Sequence, residues 1–374
     1  MGVFGLYYNL ILNVKNIPGW RTSRKILVIE CDDWGGIRIP SKEVYEKLLK
    51  AGLPMIKGNF RFDTMETEED LDMLFNVLES IKDKNGHSAI MSPITNTANP
   101  DFEKIRQSDF TEYHYEKFTE TLIRYGRGYE VIKLWKKGIQ AGIFIPELHG
   151  REHITVQIWL RKLREGNRDL LLAFDHGLAA LDIPGIHPAA GEFRPEFYFD
   201  SENQKPFLKR SIKEGVALFN DIFDYTPRAF VPSNGIFHPD FEETVAKAGV
   251  KFLYVSHSMP YPSNNGELKY RHFITGQKGP GGLTYYTRNC GFEPAAKRYT
   301  GIDLTMKQIA AAFRWHKPAI ISTHRTNFTG GIESANRDRG LSELSKLLKA
   351  IVKRWPDVEF MSSGDSLEFM RNSN

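Results

Sequence analysis

Short apolar runs alternate along this chain with stretches whose apolar residues recur every three or four positions. The run Ile26-Leu27-Val28-Ile29 within 25–30 predicts a buried strand. Ser41 follows as a cap for a helix over 42–51, with Val44, Leu48 and Leu49 at helical spacing. Thr67 and Asp70 form a capping-box pattern that opens a helix over 68–82. Further strands are predicted at 88–91, 142–147, 228–232, 251–256, 319–323 and 358–361. Helices are predicted between them at 154–163, 207–223, 240–248, 306–315 and 342–354, and residues 102–140 read as a mostly helical insertion. Alternation of this kind predicts an α/β fold with a parallel sheet. A closed or partly open (β/α) barrel fits best, because Asp32, His149, Ser233 and His324 fall just past strand ends, where such barrels build their sites. The division expected is an N-terminal segment, 1–24, packing on a barrel over 25–374, with irregular elaborations near 164–206 and 257–305 that shape a substrate cleft.

Composition narrows the class. Of 374 residues, 41% are hydrophobic and 26% charged, as in an ordinary soluble globular protein. The net charge is +4 with both signs interspersed, so no stripe tracks a phosphate backbone and no nucleic acid partner is expected. Two cysteines, Cys31 and Cys290, without a CxxC pattern, argue against a disulfide framework and for a reducing, cytoplasmic setting. Residues 1–14 are mostly apolar and are followed by Lys15, Arg21, Arg24 and Lys25. That order is wrong for a secretory signal, and the run is too short to span a bilayer. Leu6 stands where a myristoylation pattern needs Ser or Thr. Packing on the barrel is the expectation, with peripheral contact at a membrane surface as the alternative. Nothing in the pattern bears on oligomeric state.

Candidate chemistry sits at three strand ends. Asp32 and Asp33 close the first run; neighbouring strand residues point to opposite sides, but Gly35-Gly36 lets the backbone turn. The pair either serves one site or merely caps the next element. His149 and His153 stand four apart, about one helical turn, and so share a face from which both imidazoles reach one ion. One Asp and two His suit a divalent ion with open positions; zinc is the default, with cobalt, manganese or nickel as alternatives. His324 follows Ile320-Ile321-Ser322-Thr323 and is either a hydrogen-bonded core histidine or a general acid. Trp34 is either a stacking platform for a sugar ring or core filler.

These motifs resemble those of the polysaccharide deacetylases, the NodB-homology or family-four carbohydrate esterases. Ile29-Glu30-Cys31-Asp32-Asp33-Trp34-Gly35 matches the first motif, His149 and His153 the H-x-x-x-H motif, Phe230 to Gly235 the third, and Ile320 to His324 the last. The resemblance runs from about Lys25 to Met370. It implies a distorted, partly open (β/α) barrel and metal-dependent removal of acetyl groups from an N- or O-acetylated carbohydrate. It makes Asp32 the general base, His324 the general acid, and Asp33, His149 and His153 the metal ligands. Trp34, Pro232, Ser233, Asn234 and Arg325 are the expected substrate contacts. Val231 replaces the motif arginine that normally holds the catalytic Asp; Arg325 or Arg288 is available as a substitute. Asn234 stands where the family has Tyr, and its backbone N–H is a candidate oxyanion donor. Phe193-Arg194-Pro195 imitates the third motif in the wrong context and is set aside as a decoy. The competing readings are a glycosidase-like barrel hydrolase and a catalytically silent sugar-binding member of the fold.

Overall fold

A computed structural model of the protein describes residues 10–53, 58–179 and 193–373. The strands are β1 (Lys25–Trp34), β2 (Met91–Asn96), β3 (Ala98–Pro100), β4 (Tyr115–Lys117), β5 (Glu147–Gly150), β6 (Ala229–Phe230), β7 (Phe252–Tyr254), β8 (Ser258–Pro262), β9 (Leu268–His272), β10 (Thr284–Tyr286), β11 (Cys290–Gly291), β12 (Ala319–His324) and β13 (Val358–Phe360). Helices α1 (Lys42–Lys50), α2 (Glu68–Glu79), α3 (Phe102–Gln107), α4 (Phe118–Arg124), α5 (Gly128–Gln140) and α6 (Val156–Arg164) occupy the first half. Helices α7 (Arg168–Phe174), α8 (Lys205–Phe223), α9 (Glu242–Lys247), α10 (Asp303–Arg314), α11 (Ser334–Arg354) and α12 (Ser363–Asn372) follow.

The main sheet runs β10-β7-β6-β5-β2-β1-β12-β11, with β13 added beside the start of β1, and its pairings are parallel. Among the described residues no pairing joins β10 to β11, so the barrel is partly open, with a seam where Thr287-Arg288-Asn289 crosses from one edge to the other. The period-two alternation of β1 divides its side chains between two clusters. Leu27, Ile29 and Cys31 pack outward among the helices. Ile26 and Val28 point inward with Ala229, Val231, Phe252, Tyr286 and Ile320, and Leu367 and Met370 of α12 belong to the same cluster.

Caps read from the pattern form as predicted: Ser41 Oγ accepts from Val44 N, and Thr67 and Asp70 make both bonds of a capping box. Two strands are displaced. The run predicted at 88–91 begins at Met91, because Ala89 N bonds back to Leu78 O and Ile81 O behind α2. The run predicted at 142–147 begins at Glu147, because Ile143 N and Phe144 N bond back to Gly138 O at the end of α5 and Pro146 has no N–H to offer. The insertion over 102–140 is three helices and β4, which returns to pair antiparallel with β3 just before it; Asp109 and Phe110, at φ 51° and 60°, stop α3. The stretch over 257–305 is more ordered than its sequence suggests: it holds the β8–β9 hairpin and two strands of the barrel itself. No helix of the described residues is long and apolar enough to cross a membrane.

Candidate active site

Both aspartates of the first motif reach one cleft, and the backbone shows how. The β1–β2 register shifts between Cys31 and Trp34, a bulge that places an extra residue on β1. Asp33 takes up the irregularity at φ 75°, a left-handed conformation that costs a non-glycine residue about 1–3 kcal/mol and is characteristic of functional sites. Gly35 follows at φ 73°, where a Cβ would stand 2.2 Å from Asn96 O.

His149 lies at the end of β5 and His153 in the loop before α6, so the pair is not one turn of a helix, as its spacing suggested. Gly150 between them leaves no room for a Cβ, which would meet Glu196 Oε2 at 2.0 Å. The strand end turns the chain back, and the two rings stand 4.9 Å apart. His149 Nε2 lies 3.6 Å and His153 Nε2 3.1 Å from Asp33 Oδ1. His149 Nδ1 donates to Val231 O at 2.7 Å, which leaves Nε2 as the free lone pair.

The three side chains fit a divalent ion. One ligand atom from each lies within 4.8 Å of the other two. Asp33 Oδ2 and His153 Nδ1 are buried without a hydrogen-bond partner, and a bare buried carboxylate oxygen is what a cation would satisfy. Burial works against ionisation of Asp33, but Arg38 and the two imidazoles outweigh it and hold the carboxyl well below its ordinary value. Burial, with Arg38 nearby, pushes His153 down to about 3, so its imidazole is neutral and ligand-competent at neutral pH. The sequence did not single out Arg38, which donates from Nη2 to Asp33 Oδ1 at 3.1 Å.

Asp32 is gripped from the barrel seam. Arg288 Nη1 donates to its Oδ2 at 2.6 Å and Nη2 to its Oδ1 at 2.8 Å, a fork-on-carboxylate contact. The same guanidinium bonds through Nε to buried Glu30 and lies over the Tyr254 ring at 4.6 Å. Glu30 in turn accepts from Tyr286 Oη at 3.0 Å and from Ser363 Oγ at the start of α12. Burial alone would raise the Asp32 carboxyl; Arg288 outweighs it and holds it below its ordinary value. Of the two arginines weighed in place of Val231, Arg288 is the one that reaches Asp32.

His324 Nδ1 contacts Glu293 Oε1 at 2.6 Å, and Asn327 Nδ2 donates to the other oxygen of Glu293 at 2.8 Å. Burial disfavours the imidazolium, yet Glu293, with Asp33 and Asp32 behind it, raises His324 to about 10. Glu293 escaped the sequence reading. It lies 31 residues before its partner, and no local spacing links the two.

A cleft of about 380 Å³ joins these groups; Asp32, Asp33, His149, His153, Arg288 and His324 all line it, as do Pro232 and Asn234. Three expected substrate contacts do not. Trp34 is 1% exposed and packs edge-on against Trp135 and Phe144, because the bulge turns it outward into the helical layer. Ser233 is buried, and its Oγ accepts from Glu196 N, bracing the cleft wall from behind. Arg325 is fully buried; it donates to Asp63 Oδ1 at 3.0 Å and Gly36 O at 2.7 Å and so holds the turn after β1. Conversely, Arg194, set aside as a decoy, lines the cleft with its guanidinium 4.4 Å above the Phe60 ring.

No family model matches the chain, and no curated protein matches it. Solved structures similar to it include polysaccharide deacetylases. A Parabacteroides distasonis protein provisionally assigned as a glycoside hydrolase/deacetylase is 13% identical over 95% of this chain and 74% of its own, with a TM-score of 0.49. A Mycobacterium smegmatis protein provisionally assigned as a polysaccharide deacetylase is 10% identical over 95% of this chain and 93% of its own, with a TM-score of 0.42. A 4-alpha-glucanotransferase from Thermococcus litoralis is 11% identical with a TM-score of 0.44; the match covers 92% of this chain but only 40% of that enzyme. At such identities the chemistry of this chain is read from its own side chains.

Proposed function

We propose that this protein is a metal-dependent hydrolase that removes acetyl groups from an N- or O-acetylated carbohydrate. The observation that carries the reading is the joint placement of a three-ligand cluster, a carboxylate held ionised and an imidazole held protonated along one cleft. Asp33, His149 and His153 would hold the ion, with zinc the best fit to the donor set and cobalt, manganese or nickel as alternatives. Such an ion, when bound, polarises an acyl oxygen and acidifies water.

The chain's own residues supply the remaining steps. Asp32, oriented by the Arg288 fork, accepts the proton of the attacking water. His324, kept protonated by Glu293, donates a proton to the departing amine or alcohol; each such transfer is worth about 10²–10⁴ in rate. The backbone N–H of Asn234, on the cleft wall beside Pro232, is assigned to the developing oxyanion, at about 3–4 kcal/mol. A cleft of about 380 Å³ has room for one or two sugar rings beside these groups.

A glycosidase needs two carboxyl groups on either side of the scissile bond. Among the described residues lining the cleft, the carboxylates are Asp32 and Asp33, adjacent on one strand end. That favours acyl transfer to water. The test is acetate release from N- and O-acetylated saccharides by zinc-supplied protein, lost in Asp33→Ala and His149→Ala. New reducing ends without acetate would replace this reading with a glycosidase; saccharide binding with neither product would leave a sugar-binding protein.

A further inference from the structure

At the opposite end of the barrel an apolar stripe faces solvent. Leu10 is 60% exposed, Ile11 44%, Val14 51% and Ile17 40%. Residues 10–14 are helical, and Leu10 and Val14, one turn apart, share a face with Ile11 beside it; Ile17 is exposed just past the helix end. Leu12 points the other way and is 3% exposed. An ordinary surface helix turns its apolar side inward and its polar side out; here apolar residues occupy both sides.

The stripe is firmly mounted. Asn16 Nδ2 donates to Leu12 O at 2.8 Å, and Trp315 Nε1 donates to Asn13 Oδ1 at 3.0 Å. Lys317 Nζ donates to the carbonyls of Pro18 and Gly19 at 2.7 Å each, and to that of Trp20. Lys317 lies just before β12, whereas His324 closes that strand, so the stripe is at the end of the barrel remote from the cleft.

Its surroundings are basic. No acidic residue precedes Glu30 in the sequence, and residues 1–9, which lead into the stripe, are mostly apolar or aromatic and contain no acidic or basic side chain. A groove beside Leu12 and Asn13 is lined by Lys307, Arg314 and Arg354, and by no carboxylate among the described residues. All three cations are exposed, and Leu304, 45% exposed, lies on the same helix as Lys307. Arg24 and Lys25 are taken up by Glu359 and Asp357; exposed Asp303 opens α10 one turn before Lys307 and three turns before Arg314.

We propose that this face docks on a membrane surface bearing anionic lipid headgroups, lying on the bilayer rather than crossing it. A lipid surface supplies an apolar phase for the stripe and opposite charge for Lys307, Arg314 and Arg354 together. A second copy, related by a two-fold axis, would instead bring like cations against one another. Docked this way, the barrel presents its cleft to the aqueous side.

The test is co-sedimentation of the full chain with vesicles of phosphatidylcholine alone or mixed with phosphatidylglycerol. The expected result is pelleting with the mixed vesicles, weakened about tenfold with phosphatidylcholine alone or in high salt. Joint Ile11→Asp and Val14→Asp substitution should weaken it by a further tenfold or so. Both side chains are exposed, and circular dichroism with zinc retention checks that the variant is folded. Wild type left in the supernatant with mixed vesicles overturns the proposal, as does pelleting unaffected by the double substitution. A concentration-dependent dimer without vesicle binding also overturns it and assigns the face to a second copy. Hydrolysis of a soluble acetylated saccharide should be unchanged in this variant, so failure of the docking proposal and failure of the hydrolase reading are separately visible.

Discussion

Replacing Arg288 by Met keeps much of the side chain's length and removes its charge. In the wild type the guanidinium lies 2.6 and 2.8 Å from the two Asp32 oxygens, 2.5 Å from Glu30 Oε2 and 3.1 Å from Ser322 Oγ. Glu30 is 0% exposed and Asp32 7%, so the substitution leaves two like charges buried on the inner face of β1. Removing one partner of a buried ion pair costs about 3–5 kcal/mol. Protonation offers relief: with the guanidinium gone, burial pushes the Asp32 carboxyl upward. The sign follows from the wild type, where the Asp32 carboxyl lies below its unfolded value. Its contribution to stability is present above the unfolded pKa and is lost as pH falls through the folded one. In Arg288→Met burial dominates, the carboxyl moves above its unfolded value, and the group becomes a cost at neutral pH that acidification relieves. Urea unfolding at pH 7 should show the loss of about 3–5 kcal/mol. The acid limb of acetate release should move to higher pH. Arg288→Lys, which restores the charge without the fork, should fall between. A variant within about 0.5 kcal/mol of wild type, with an unmoved acid limb, would refute the role given to Arg288.

Glu293→Gln should bring His324 from about 10 down toward the ordinary imidazole value near 6.5, which an imidazole titration by NMR reads directly. Activity should then fail at a lower alkaline pH. The stability this pair gives the wild type should be complete below about 6.5 and gone once pH has risen through about 10. Chelation should abolish acetate release and zinc restore it, while thermal midpoint rises with zinc in the wild type and stays flat in Asp33→Ala; stabilisation is about 2.7 kcal/mol at a hundredfold excess over Kd. Trp34→Ala should cost about 3–5 kcal/mol of stability, and Trp34→Phe should leave KM for any saccharide unchanged, because the ring is core and not a sugar platform. A raised KM in the folded Phe variant would contradict that placement.

The parallel α/β architecture was legible because it follows from local periodicity: β1 carries the apolar run Ile26–Ile29, and Ser41 and Thr67 cap helices through bonds to residues three positions on. The short β10 and β11 were not. They carry two or three residues each and are defined by partners elsewhere, so the region around them reads as loop. Boundaries at 88–91 and 142–147 slipped for a related reason. The preceding helices claim the backbone N–H groups of Ala89, Ile143 and Phe144 before the sheet can.

At the site, residue types and motif order were visible in the chain, but orientation was not. Trp34, one position past Asp33, faces the core because a bulge intervenes, and Arg325, one position past His324, is buried behind the cleft. By itself the sequence determined which groups were available for chemistry: a pair of aspartates at a strand end, two imidazoles four apart and a third after a late strand. Only the tertiary structure decided which of them meet and what holds them. Arg288 reaches Asp32 because the barrel is open between β10 and β11, and Glu293 reaches His324 across 31 residues of chain. Such contacts depend on where strands lie in space, and a pattern read along one dimension carries no term for it.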